Sequence, residues 1–97
     1  MDTQVFAFKL GQELTALDRR EASREKRVNI YRIGHYLNAA TDVIANVIGG
    51  MRPEKAFADA FVPTRGMHRV ARNLGLALDV ENGHWLIVHS ETVRERV

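Results

Sequence analysis

The dipeptide Asn82-Gly83 lies between two apolar segments, residues 76–81 and 84–89, and it strongly limits what this chain can form. Asn-Gly suits the two-residue type I′ turn of a β-hairpin, because both turn positions need a positive φ. We therefore predict a hairpin with one apolar face that packs against the rest of the chain. The expected pairs on that face are Val80 with Trp85 and Leu78 with Ile87.

Apolar residues before the hairpin recur at intervals of three or four, which is the period of an α-helix. The spacing predicts four helices, over residues 3–18, 30–49, 53–61 and 65–74. Each has one apolar side, as expected for helices that pack around a shared core. We therefore predict a mostly α-helical α+β fold with a C-terminal β-hairpin.

Glycine, proline and threonine residues mark the predicted helix ends. Gly49-Gly50 stops the second helix, and Pro53 opens the third, because the first helical position needs no backbone N–H donor. Thr64 can accept a hydrogen bond as the N-cap of the fourth helix, and Gly75 suits a left-handed cap at its end. These signals divide the chain into short elements joined by short turns.

Three stretches leave alternatives open. Residues 5–8 could begin a strand, although their helical spacing is the preferred interpretation. The polar stretch 18–27 is either a loop or a solvated continuation of the first helix. The tail, residues 90–97, either adds a last helical turn or frays.

The chain has 97 residues and no cysteine. This length suits one domain over residues 1–97 and excludes folds such as the (β/α)8 barrel, which needs about 250 residues. The lack of cysteine excludes disulfides and thiolate zinc sites. No apolar run approaches the roughly 18 residues of a membrane span, and the start of the chain lacks the basic region of a signal peptide. We therefore expect a cytoplasmic protein with no membrane partner.

The predicted fourth helix carries the most informative charge pattern. Arg65, His68, Arg69 and Arg72 fall on one side at about 100° per residue, and no acidic residue interrupts them. The opposite side is an apolar face, formed by Met67, Val70, Ala71 and Leu74. Arginine and asparagine contact phosphates and base edges of DNA, so the basic side and the adjacent Asn73 are candidate binding residues.

A net charge of +2 hides a segregation of charge along the chain. Residues 19–32 carry six basic side chains against two acidic ones, and residues 52–73 carry five against two, whereas the stretch from residue 74 onwards is net acidic. Further candidates for binding an anionic partner are Arg19, Arg20, Arg24, Lys26 and Arg27. The alternative is a solvated surface in which Glu21 and Glu25 pair with basic neighbours three or four residues away.

Two helices separated by residues 62–64 and followed by a hairpin resemble the winged helix-turn-helix class of DNA-binding domains. The resemblance covers about residues 30–89. It implies that helix 65–74 enters the major groove and that the hairpin is the wing. The tip of that wing would consist of Asn82, Gly83 and His84. A wing of this class usually presents basic residues to phosphate, whereas this tip has none and adjoins Glu81.

Motifs for catalysis and metal binding are missing from the sequence. It contains neither a P-loop nor the nucleophile elbow of hydrolases. The four histidines, at positions 35, 68, 84 and 89, do not have the spacing of a metal-ligand set. An aromatic stripe for stacking RNA bases is also missing. We therefore expect neither an enzyme nor a cofactor.

Two functions from different classes remain. The first is a small DNA-binding module, a repressor or accessory factor, whose arginines contact the phosphates of duplex DNA. The second is a small inhibitor or adaptor, of the kind found in phages and mobile elements, that binds a protein with an acidic or nucleic-acid-binding groove.

A homodimer is compatible with both functions. The first helix has more apolar surface than a small core needs, and a symmetric pair would bury it. The residues concerned are Phe6, Phe8, Leu10, Leu14 and Leu17. The alternative is that this helix covers the hairpin of its own chain.

Overall fold

A computed structural model describes residues 2–89 and 94–97. Over these residues the chain forms four helices followed by a three-stranded antiparallel sheet, so the predicted α+β class is confirmed. Within the same ranges, no helix has both the length and the apolar character needed to cross a membrane. The elements are α1 (Thr3–Glu25), α2 (Ile30–Ile48), α3 (Pro53–Ala60), α4 (Arg65–Asn73), β1 (Leu78–Glu81), β2 (His84–Val88) and β3 (Arg94–Arg96).

Side chains cap three of the helices, each accepting a hydrogen bond from an otherwise unpaired backbone N–H. Asp2 Oδ1 accepts from the backbone N–H of Gln4 in α1 at 2.8 Å. Asn29 Oδ1 accepts from the backbone N–H of Arg32 in α2 at 3.0 Å. Thr64 caps α4 as predicted, with its Oγ1 3.1 Å from the nitrogen of Met67. Gly75 follows α4 with a φ of 73°, the left-handed conformation expected of it.

Helix α1 ends at Glu25 and not near residue 18 as predicted, so the polar stretch is a continuation of the helix. Its acidic residues pair with side chains of α2 that lie 7 to 15 residues further along the chain. Arg32 Nε donates to Asp18 Oδ1 at 2.9 Å and also bonds Glu25, and the Tyr36 hydroxyl donates to Glu21 at 2.6 Å. These long-range contacts, and not the local pairs expected within α1, hold the extra turns in place.

The hairpin has the predicted turn and register. Asn82 and Gly83 have φ values of 54° and 77°, and Val80 pairs with Trp85 in an antiparallel arrangement. The tail differs from both alternatives, because residues 94–96 form a third strand paired with β2. The hydrogen bonds to β2 stabilise this strand. The short, charged sequence of residues 94–96 does not by itself indicate a strand. Residues 90–93 lie outside the described part of the chain.

The core lies between the helices and one face of the sheet. Trp85 is buried, its indole Nε1 donates to the carbonyl oxygen of Phe61 at 2.7 Å, and its ring meets the edge of Phe57. Four of the five apolar residues of α1 that the sequence offered for a dimer surface are buried in this core, namely Phe6, Leu10, Leu14 and Leu17. Phe8 is the exception, with 67% of its surface exposed. The surplus apolar surface expected on α1 is therefore small.

Helix α4 approaches α1 closely because Gly66 has no side chain. A Cβ atom at this position would lie 2.7 Å from Cδ1 of Leu17, which is itself buried. Such a distance is well inside van der Waals contact, so any larger residue forces the helices apart or moves Leu17. Gly66 thus allows α4 to pack closely against the chain's own first helix.

Replacing Gly66 tests this contact. We expect Gly66→Val to lower the free energy of unfolding by about 1–3 kcal/mol, because the added methyl groups overpack the α1–α4 interface. Gly11→Ala is the matched control, since a Cβ there meets nothing within 4 Å. It should raise stability by about 0.5–1 kcal/mol through helix propensity. Urea unfolding measures both, and equal effects of the two variants would contradict the packing described.

Candidate functional site

An open groove with a volume of about 840 Å³ runs between α1 and α4. Its walls are formed by residues from the second half of α1 and from the length of α4, and Leu17 and Gly66 lie at its floor. Five of the residues that line it are arginines: Arg20, Arg24, Arg65, Arg69 and Arg72. Two basic stretches that are about 40 residues apart in sequence therefore share one surface.

The helical phase of α4 explains its part of this surface. Arg65, Arg69 and Arg72 fall within an arc of about 60°, opposite the buried face of the helix. Gly66 and Asn73 lie on the flank that meets α1, whereas His68 lies on the flank that meets the hairpin. The three arginines thus form an exposed crest between two supporting elements.

The phase of α1 separates its acids from the groove. Asp18, Glu21 and Glu25 fall within an arc of about 60° and contact α2, whereas Arg20 and Arg24 lie roughly 110° away around the helix. Burial, together with a hydrogen bond to Glu21, raises the pKa of the Tyr36 hydroxyl, so this group remains a donor at neutral pH. The carboxylates of this segment are therefore occupied on the far side of the helix.

The groove arginines are not neutralised within the described residues. None of the five comes within 4.0 Å of a carboxylate in that part of the chain, whereas Arg32, Arg52 and Arg94 all do. The Nη2 atom of Arg20 is buried and has no hydrogen-bond partner among the described residues. A buried guanidinium nitrogen without an acceptor lowers the stability of the folded chain.

The other predicted basic residues of the 19–27 stretch do not line the groove. Arg19 lies next to a shallow depression on the other side of α1, beside Phe8 and Leu37. Lys26, which has a φ of 58°, ends α1, and it is exposed together with Arg27. The structure thus brings Arg20 and Arg24 to α4 and leaves the other three outside.

Asn73, a candidate for contacting bases, is hydrogen-bonded within the chain. Its Nδ2 donates to Oε1 of Glu13 at 2.8 Å, which joins α4 to α1 at one end of the groove. Glu13 lies about 10 Å along the helix axis from Arg20. This bond uses one of the two N–H donors of the amide and leaves its other donor and its oxygen to a ligand.

His68 is also held by the chain itself. Its Nε2 lies 3.6 Å from Oδ1 of Asp79, and its ring meets the edge of the Trp85 indole at a centroid distance of 6.4 Å. The backbone N–H of Val80 and the guanidinium of Arg94 hold the pKa of Asp79 below its usual range. This carboxylate stays charged at neutral pH and orients His68 along the side of the groove.

The residues predicted for the wing tip, Asn82, Gly83 and His84, are exposed at the end of the hairpin. None of them lines the groove.

The arginines of the sheet, Arg94 and Arg96, lie on β3 and were not among the residues selected from the sequence. Arg94 bonds Asp79 at 2.9 Å, whereas Arg96 is exposed opposite Leu86. The sequence of residues 94–96 has no apolar alternation that would have indicated a strand.

No protein-family model matches this chain, and no curated protein or solved structure matches it.

Arg32 of α2 should stabilise the arrangement in which the acidic residues of α1 face α2. We expect Arg32→Met to lower the melting temperature at pH 7, because Asp18, Glu21 and Glu25 would then repel one another. At pH 3, where model carboxylic acids are largely protonated, most of this difference from the wild-type protein should disappear. Thermal unfolding followed by circular dichroism measures it, and an equal loss at both pH values would contradict the electrostatic origin.

Proposed function

We propose that this protein binds duplex DNA through the arginine-lined groove between α1 and α4. The observation that carries the proposal is the convergence of Arg20 and Arg24 with the three arginines of α4 on one surface without neutralising carboxylates. Guanidinium groups arranged in this way match a row of phosphates, to which arginine donates two hydrogen bonds at once.

The dimensions of α4 fit this partner. A helix with its side chains is about 10–12 Å across, which matches the roughly 12 Å width of the major groove, and the nine residues of α4 extend about 13 Å along its axis. In the winged helix-turn-helix arrangement that the element order resembles, α4 would enter that groove. Arg20 and Arg24 would then contact the adjacent phosphate backbone. The hairpin, whose tip carries Glu81 and no arginine or lysine, would stay clear of it.

The placement of Asn73 and His68 indicates weak sequence selectivity. The two candidates for reading bases other than arginine lie against carboxylates, since Asn73 is hydrogen-bonded to Glu13 and His68 lies 3.6 Å from Asp79. Phosphate contacts position a protein on DNA but carry no sequence information directly. We therefore propose an accessory or architectural role in which affinity comes mainly from charge, with Arg65, Arg69 and Arg72 as the remaining candidates for contacts to guanine.

The salt dependence of affinity tests the proposal. If each of the five arginines neutralises one phosphate, the logarithm of the association constant should fall with the logarithm of salt concentration with a slope of about −4.5. Between about 50 and 200 mM salt this amounts to a loss of about 500-fold. Fluorescence anisotropy with a labelled duplex of about 20 base pairs measures the slope. A protein that does not bind at about 50 mM salt would refute DNA binding.

Two charge-matched double variants assign the binding to the groove. Arg69→Gln/Arg72→Gln should flatten the slope by about 1.8, because two phosphate contacts are lost. Arg19→Gln/Lys26→Gln removes the same charge from exposed positions outside the groove and should leave the slope nearly unchanged. Equal effects of the two variants would show that only net charge matters and would contradict a defined interface.

A protein with an acidic groove is the second candidate partner. It is favoured by the same engagement of Asn73 and His68, because a surface that recognises charge and not bases also fits carboxylates. A pull-down from nuclease-treated host extract separates the two functions. A stoichiometric protein partner that the Arg69→Gln/Arg72→Gln variant fails to retain would support this candidate, and the absence of any such partner would remove it.

A further inference from the structure

Helix α2 presents a second surface that the groove does not use. Ala39, Ala40 and Val43 face the core, whereas large apolar residues continue along the opposite flank of the same helix. Ile30, Leu37 and Ile48 are 68%, 45% and 71% exposed. Between and beside them lie Ile33, Gly34, Thr41, Ile44 and Ala45, all within about 60° of the same direction. This set of eight residues is referred to as the α2 face.

The α2 face is uncharged over the whole length of the helix, all of which the structure describes. The ionisable residues of α2 lie elsewhere around the helix, where Arg32 pairs with α1 and where His35 and Asp42 face solvent. The exposed face of a helix normally carries charged side chains. A helix with two uncharged, apolar faces is therefore expected to bury both faces. Two copies of a net positive chain could meet here without repulsion between facing charges.

The order of large and small residues makes this face complementary to itself. When two α2 helices run antiparallel about residue 39, Ile30 lies opposite Ile48 of the other copy and Leu37 lies opposite Thr41. The third pair places Gly34 opposite Ile44. In the two central pairs a large side chain therefore meets a small one, which allows the helices to approach within about 8–10 Å. Because the pairing is symmetric, the same patch serves both copies of a twofold dimer.

The size of the surface fits a weak dimer. From Ile30 to Ile48, a stretch of 19 residues, the face measures about 27 Å, and on a helix about 10 Å wide it covers about 270 Å² in projection. Phe8 of α1 lies beside Leu37 across a shallow depression and extends it. The total is then similar to the largest apolar patch of a typical monomer, roughly 300–600 Å², which is often a functional surface. It falls below the roughly 800 Å² that each partner buries in a standard interface.

From these observations we propose that a second copy of this chain packs against the α2 face, with the two α2 helices antiparallel. The groove between α1 and α4 contains no residue of α2, so both grooves of the dimer stay open. The dimer does not depend on DNA, and its test therefore uses the protein alone.

Sedimentation equilibrium from about 1 to 200 µM tests the assembly. We expect the wild-type protein to approach about 22 kDa, twice the 11.0 kDa of the chain, within this range. Thr41→Lys places a charge at the centre of the interface on an exposed position, so it should remain monomeric. His35→Lys adds a lysine to an exposed position outside the face and should dimerise like the wild type. A monomeric wild-type protein at 200 µM, or an undiminished Thr41→Lys dimer, would overturn the proposal.

The lack of native cysteine allows the register to be tested by crosslinking. In the antiparallel pair two Thr41→Cys residues lie about 6 Å apart along the axis, whereas two Ile30→Cys residues lie about 27 Å apart. A short bismaleimide should therefore link Thr41→Cys chains efficiently and leave Ile30→Cys chains unlinked. A mixture of Ile30→Cys and Ile48→Cys chains should link. Efficient linking of Ile30→Cys chains to one another would overturn the antiparallel arrangement.

Discussion

The contact between Leu17 and Gly66 sets the distance between α1 and α4, and the basic surface depends on that distance. With a glycine at this position the two helix backbones come close enough for the side chains of both to line one groove. Leu17 is buried and continuous with the core formed by Leu10 and Leu14, so the contact is held by the apolar packing of the whole helix. The relative position of the arginines is thus fixed by residues that cannot themselves bind a ligand.

The second constraint is the sorting of charge around α1. Its acidic residues are drawn to Arg32 and Tyr36 of α2, and this leaves Arg20 and Arg24 facing α4. Five arginines on one surface repel one another and lower the stability of the folded chain. The buried Nη2 of Arg20, which lacks an acceptor among the described residues, adds to that cost. Local departures of this kind from the most stable arrangement are typical of binding sites.

Much of the fold was predictable because its signals are local. The turn at Asn82-Gly83, the cap at Thr64 and the apolar face of α4 each depend on residues within a few positions of one another. The end of α1 at Glu25 was not predictable in this way, because the turns after residue 18 are stabilised by Arg32 on another helix. Strand β3 likewise forms only through pairing with β2.

The candidate site was likewise predictable only where its signals are local in sequence. The sequence identified the basic crest of α4 and named Arg20 and Arg24 among five residues of the preceding stretch. It did not separate these two from Arg19. Which of these arginines faces α4 depends on the helical phase of residues 18–27, and the sequence is compatible with either a loop or a helix there. The engagement of Asn73 by Glu13 joins residues 60 positions apart and was beyond any local pattern.

Titration of isotope-labelled protein with a short DNA duplex, followed by NMR, tests the central claim most directly. At low salt we expect chemical-shift changes to concentrate at Arg20, Arg24, Gly66, Arg69 and Arg72, in fast or intermediate exchange. Signals from Arg19 and from the exposed residues of α2 should move little. Changes centred on α2 or on the hairpin tip, or no changes at millimolar duplex, would contradict a DNA interface in the groove between α1 and α4.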